Sequence, residues 1–238
     1  MNKIKKYELS LAVLEYLSKI DKNRYTLKSN LIGFAEQRGK IEDFLKKDFS
    51  VEEKSLLDVV LRELQEEGLI QPTFKDILNR GTDLIISDKG RKALQNKTLD
   101  ALDEMLISIA PSRNLIEKRY GAYDASSSKH RDWQRHVAVS LVELIDQTLR
   151  TLTPDIDENK IDRSKKGSIR KERITRFILK RNSKKSKSTE KVVEKAFELT
   201  ESLRERLEKV KHSQSDTENE VEHLIKLTED ALYFLLNR

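Results

Sequence analysis

A mostly α-helical chain is the fold class this sequence predicts, on three observations. Only 7 Gly and 3 Pro interrupt its 238 residues, and these are the two strongest breakers of regular helix. Apolar residues return every three to four positions through nearly the whole chain, which is the period of an amphipathic helix. The one departure falls between positions 69 and 86, where short branched runs flank a turn signal. The length suits two domains of roughly 100–200 residues each, and the periodicity divides them as 1–97 and 98–238.

The first helix carries Leu9, Ala12, Val13, Tyr16, Leu17 and Ile20 on one face, and a second apolar series runs from Leu31, Ile32, Phe34 and Ala35 to Ile41, Phe44 and Leu45. A third helix opens at Ser50-Val-Glu-Glu53, a capping box in which Ser50 and Glu53 satisfy each other's amides. It continues through Leu57, Val60, Leu61 and Leu64 and stops at Gly68. Leu69-Ile70 and Leu84-Ile85-Ile86 then bracket Asn79-Arg80-Gly81, the signature of a small β-hairpin. Three helices and a hairpin predict a winged helix-turn-helix domain. The phrases Leu61 to Ile70 and Leu84 to Leu94 resemble the third helix and the last strand of many winged-helix domains. That resemblance implies DNA reading by the third helix. The charges oppose it, because Glu52, Glu53, Asp58, Glu63, Glu66 and Glu67 outnumber Lys54 and Arg62 there and phosphates repel acids. Protein contact or dimerisation is at least as strong an expectation, and Lys75 and Arg80 of the wing are the better DNA contacts.

From Thr98 every strong period is helical. Leu99, Leu102, Leu106 and Ile109 lead to Pro111, which breaks the first helix before Leu115-Ile116. Asp124-Ala-Ser-Ser-Ser128 reads as a polar turn opening a second helix through Val137, Leu141, Leu144, Ile145 and Leu149, which Pro154 ends. Ser188 or Thr189 caps a third, with its seam at Val192, Ala196, Leu199, Leu203, Leu207 and Val210. Asp216 or Thr217 caps a fourth, through Val221, Leu224, Ile225, Leu232 and Leu235. Short inner connections predict an antiparallel four-helix bundle with a basic segment, 155–190, inserted in it.

That insertion holds the whole charge excess. Lys160 to Lys187 contains thirteen basic residues against Asp162 and Glu172, and the remainder of the chain has 34 basic against 39 acidic residues although the net charge is +6. Ile169, Ile174, Phe177, Ile178 and Leu179 lie among the charges, so part of the segment reads as a helix with one apolar edge. Lys165, Lys166, Arg170, Lys171, Arg173, Arg176, Lys180 and Arg181 form its candidate nucleic-acid-binding strip. A solvated charged loop is the plainer alternative.

Candidate chemistry sits near the end of the chain, in Arg206-Leu-Glu-Lys-Val-Lys-His212-Ser213. Histidine near its ordinary pKa of ~6.5 can take a proton from a ribose 2′-hydroxyl or give one to the leaving 5′-oxygen. An arginine fork can hold the phosphate. Arg206 and His212 are therefore the candidate catalytic pair, with Arg131 and His136 a secondary pair. A helical bundle with such a pair at its last corner resembles the HEPN superfamily of defence and toxin nucleases. The span Ser126 to Asp155 is also similar to helices of uncharacterised defence-associated families predicted to be nucleases. In the superfamily a polar residue often follows the Arg, where this chain has Leu207. The resemblance implies a metal-independent endoribonuclease of a bacterial antiphage defence or toxin system, active as a homodimer or in a larger complex that pools Arg-His pairs.

Composition bounds the alternatives. The absence of Cys removes disulfides, thiolate metal sites and cysteine nucleophiles, and 4 scattered His predict neither a metal centre nor any cofactor. No apolar run reaches the roughly 20 residues of a membrane helix, so a cytoplasmic protein with no membrane partner is expected. Nucleic acid is the expected partner, with RNA favoured over DNA. The competing function is a non-catalytic nucleic-acid-binding protein, either a DNA-binding regulator or a subunit of a multiprotein defence complex. A structural adaptor is a third.

Overall fold

The helical periods of the sequence become helices almost throughout the computed structural model, which describes residues 4–20, 26–33, 37–73, 83–129, 131–158, 161, 167–181, 186–212 and 218–237. They form two units, Met1–Ala101 and Leu102–Arg238. The first contains α1 (Lys6–Lys19), β1 (Thr26–Leu27), α2 (Lys28–Ile32), α3 (Lys40–Leu45), α4 (Val51–Glu66), β2 (Ile70–Pro72), β3 (Asp83–Ile86) and α5 (Asp88–Asn96). Its sheet has the order β1-β3-β2 with both pairings antiparallel; Ile70 lies opposite Ile86, and Thr26 opposite Leu84. Leu9, Val13, Leu31, Ile41, Leu57 and Leu61 are fully buried in this unit.

Local signals act here as physical chemistry requires. Ser50 Oγ accepts from the Glu53 amide at 3.3 Å while Glu53 accepts from the Ser50 amide at 3.0 Å. Gly68 turns the chain with φ +66°, and the amides of Gly68 and Leu69 close on the carbonyls of Gln65 and Leu64, a left-handed exit that glycine adopts without steric cost. The acids of α4 do not stand alone. Asp58 pairs with Lys28, Glu53 with Lys47 and Glu63 with Lys6, at 2.6, 2.6 and 2.8 Å, so lysines of the same unit offset much of the negative field. The wing residues Lys75 and Arg80, like the turn at 79–81, lie outside the described residues.

The second unit contains α6 (Ala101–Ile109), α7 (Asn114–Ser128), α8 (Trp133–Leu152), α9 (Ser168–Arg181), α10 (Lys187–His212) and α11 (Glu218–Leu236). Six helices therefore stand, among the described residues, where four and an insertion are expected. Pro111 separates α6 from α7, and α8 ends at Leu152, before Pro154. Asp124 to Ser128 is not a turn but the last part of α7. Ser128 Oγ bonds back to the Ala125 carbonyl at 2.7 Å, Ser126 is buried, and the chain reverses at Lys129 with φ 47°. Packing of α7 on α8 outweighs the weak preference of serine for turns.

Central to this unit is α8, which touches α7, α9, α10 and α11 and places Trp133, Val137, Leu141, Ile145 and Leu149 in the core. Helix α9 belongs to that core through Ile174, fully buried, and Ile178. The basic segment thus supplies a wall of the domain as well as its charges. Each such side chain stabilises by about 1.5–3 kcal/mol.

Candidate functional site

Helix α10 has two faces. Val193, Ala196, Leu203, Leu207 and Val210 turn to the core, and Glu201, Arg204, Glu208 and Lys211–His212, three or four positions apart, run along another side. To this stripe α8 brings Asp146 and α9 brings Arg170. Arg170 closes on Glu201 with both arms of its fork, Nη2 donating at 2.8 Å and Nε more tightly still. Its guanidinium is held above its usual pKa, first by that hydrogen bond, against burial, and further by the charges of Glu201, Asp146 and Glu208. Four charged groups from three helices, Arg170, Glu201, Asp146 and Glu208, are thereby within electrostatic reach.

Arg204 is held differently. Its Nε and Nη2 donate to the two Asp146 oxygens at 3.4 and 3.3 Å, and Nη2 also stands 3.4 Å from Glu208. These are long contacts for charged partners, which normally close to about 2.7–2.9 Å. Glu208 continues the stripe, with its Oε2 3.5 Å from Lys211 Nζ and 3.9 Å from His212 Nε2. The His212 side chain is 75% exposed. A shared arginine, a lysine, and a histidine facing a carboxylate compose a set that can bind a phosphodiester and move a proton beside it.

Sequence spacing had singled out Arg206 with His212, but six residues along a helix turn the second side chain by about 240°. Arg206 faces α11, where Nε donates to Glu220 at 2.5 Å and Nη2 pairs with the same carboxylate. Arg206 and His212 thus lie on different sides of α10; the arginine on the stripe that His212 ends is Arg204. Ser213 lies outside the described residues. Arg131 and His136 are both exposed, one just before α8 and one in its first turn.

The candidate basic strip is divided. Arg173 is buried and donates to the Thr153 carbonyl at 2.7 Å, to its hydroxyl at 3.0 Å and to Glu158 at 2.8 Å. With Arg170 half-buried and closed on Glu201, these two arginines tie helices together, because positions 170 and 173 lie one turn and one residue before the inward Ile174. Lys171, Arg176, Lys180 and Arg181 are exposed; Arg176 pairs with Glu172 of its own helix at 2.6 Å. Lys165 and Lys166 lie outside the described residues.

One constellation escaped the sequence reading. Arg119 of α7 donates from Nη1 to Asp103 of α6 at 2.7 Å and from Nε to Glu229 of α11 at 2.6 Å. Tyr120 and Tyr123 donate their hydroxyls to those same carboxylates at 2.9 and 2.8 Å. Asp103 is fully buried and Arg119 nearly so. The available signal was a charge in the core phase of a helix, since Arg119 follows Leu115 and Ile116 at four and three residues. No group of three His, Cys, Asp or Glu placed to hold a metal ion occurs among the described residues. No described helix is long and apolar enough to cross a membrane.

Residues 106–235, nearly the whole second unit, match a family model described as a predicted pPIWI-associating nuclease. No curated protein and no solved structure matches the chain.

Proposed function

Because the chain belongs to the predicted pPIWI-associating nuclease family, we propose that it is a nuclease of a bacterial antiphage defence system, acting with a pPIWI partner and cutting RNA through the stripe on α10. The observation that carries this reading is the convergence of Asp146, Arg204, Glu208 and Lys211 with His212 at the open end of a helix inside the matched region.

One ring nitrogen of His212 faces Glu208, which leaves the other for the ribose 2′-hydroxyl. The histidine removes that proton as the 2′-oxygen attacks phosphorus, and protonated imidazole then serves the departing 5′-oxygen. Arg204 spreads three long contacts over two carboxylates, so a phosphate can draw its fork away at little cost. With Lys211 it would offset the charge that grows on the phosphoryl oxygens. This chemistry uses side chains alone. In this reading two copies of the chain pool their stripes, and the first unit is a winged-helix docking module. Arg206 serves as a tie to α11.

The experiment compares wild type, His212→Ala, Arg204→Ala and Arg206→Ala on total cellular RNA and on single-stranded DNA, with and without EDTA. Cleavage in EDTA is expected from wild type and Arg206→Ala only. Undiminished cleavage by His212→Ala would remove the proposal. A second reading, nucleic-acid binding without turnover, draws on exposed Lys171, Arg176, Lys180 and Arg181; it expects salt-sensitive binding that survives His212→Ala.

A further inference from the structure

At the other end of α10 lies a cleft that the nuclease reading does not use. It has a volume of ≈ 370 Å³ and is formed where the end of α9, the start of α10 and the end of α11 meet. Phe177, Val192, Phe234 and Leu235 give it apolar walls, while Arg181 and Ser188 stand on its lining as polar groups. Small-molecule sites run from roughly 300 to 1,000 Å³ and combine apolar walls with a few convergent polar groups. The cleft is therefore the size of one small ligand.

Its chemistry narrows the class. Arg181 spends Nη1 on the Leu236 carbonyl at 2.7 Å, and that tether fixes the guanidinium beside the Phe177 ring, 5.2 Å from its centroid. A guanidinium carries five N–H donors in a planar fork that fits phosphate, so a held arginine presents its remaining donors at a set place. Ser188, whose hydroxyl shares one hydrogen bond with that of Ser186 at 2.8 Å, adds a polar group near the start of α10, where the helix dipole favours negative charge. An aromatic and aliphatic slot beside a fixed phosphate fork suits a planar ring joined to a phosphate. We propose that this cleft binds a nucleoside monophosphate group, its base between the apolar walls and its phosphate on Arg181 and Ser188.

Ser188 and His212 are 24 positions apart on one helix, about 36 Å at 1.5 Å per residue. A mononucleotide in the cleft cannot reach the reactive stripe. The group would come either from a free nucleotide or from the phosphorylated end of a nucleic-acid strand, two sources with the same chemistry.

Calorimetric titration of the full chain tests this with AMP, adenosine, inorganic phosphate, and a tetranucleotide bearing either a 5′-phosphate or a 5′-hydroxyl. AMP or the 5′-phosphorylated tetranucleotide is expected to bind at least tenfold more tightly than adenosine, inorganic phosphate or the 5′-hydroxyl tetranucleotide. Tighter binding of the strand than of AMP assigns the site to strand ends, and equal or weaker binding assigns it to free nucleotide. Arg181→Gln is expected to weaken binding at least tenfold, and Val192→Trp, which fills the slot, to abolish it. Thermal melting is measured beside both, and Arg181→Gln alone suffices if Val192→Trp unfolds. Failure of both phosphorylated ligands to bind, or binding unchanged in Arg181→Gln, would overturn the inference. His212→Ala should bind AMP as wild type does, so loss of cleavage and loss of this site are separable.

Discussion

The second unit contains two charge networks built from the same residue types and put to opposite uses. In the first, Arg119 lies between Asp103 and Glu229 at 2.7 and 2.6 Å, with two tyrosines completing the carboxylates. In the second, Arg204 lies between Asp146 and Glu208 at 3.3 and 3.4 Å, at a surface that reaches His212. The first is closed. Asp103 and Arg119 are buried and each carboxylate has short partners, so its energy goes into fixing three helices. The second is open and long, and an arriving phosphate finds an arginine that no carboxylate has fully claimed. Burial and bond length, more than residue identity, separate a strut from a site.

The sharpest way to break this comparison is Arg119→Ala. Removing one partner of a buried ion pair leaves uncompensated carboxylates and costs about 3–5 kcal/mol, so denaturant unfolding should show a loss of that order. A loss below ~1 kcal/mol would mean that Asp103 and Glu229 find water or other donors, and that the network is not a strut.

Arg170→Ala stands between the extremes, because the Arg170–Glu201 pair is bidentate but partly open to solvent. A double-mutant cycle with Glu201→Gln should give a coupling of about 1–2 kcal/mol. Arg204→Ala should cost stability no more than ~1 kcal/mol while lowering cleavage about 100-fold, the usual scale for losing one stabiliser of transition-state charge. If it destabilises as strongly as Arg119→Ala, the open network is a second strut.

The smallest effect concerns a closed carboxylate of the first unit. Burial pushes Glu42 up, but the amides of Gly39 and Phe49 and the Lys54 ammonium outweigh it and leave its pKa below the ordinary 4.5. Glu53 is likewise raised by burial and brought lower overall by Lys47 and the amides of Ser50 and Ile4. A carboxylate with a depressed folded pKa stabilises fully above its unfolded value, and that contribution disappears as pH falls through the folded one. Melting temperature should therefore decline below pH 4.5, and Glu42→Gln should flatten the decline. An unchanged slope in the variant would deny Glu42 its part.

How much of this was legible depends on the kind of signal. Ser50 with Glu53, Gly68, Pro111 and Pro154 act through bonds within a few residues, and the helix ends stand close to where these signals put them. The Ser126–Ser128 run misleads because serine expresses only a weak local preference, which the fit of α7 on α8 overrules. Strand β1 has two residues, too few to set up an alternation, and exists through its pairing with β3. The cap of α10 falls two to three residues before the predicted one, since Ser186 Oγ accepts the Thr189 amide. At the candidate site, counting residues from Arg206 to His212 measures distance along the chain, whereas reactivity depends on which side of the helix each occupies. Arg119 was hidden by its own placement, as its ionic partners come from positions 16 and 110 residues away.

Helix α9 is at once the most basic stretch and a piece of the core, which constrains how the sequence can vary. Substitutions at Lys171, Arg176 and Lys180 alter the outer charge of the domain while leaving its interior intact. A deletion of residues 155–190 would instead remove Ile174, Ile178 and the Arg173 clasp on Thr153 and Glu158, leaving α8 and α10 facing solvent. In this chain positive charge can be retuned residue by residue, but the segment that bears it cannot be removed as a cassette.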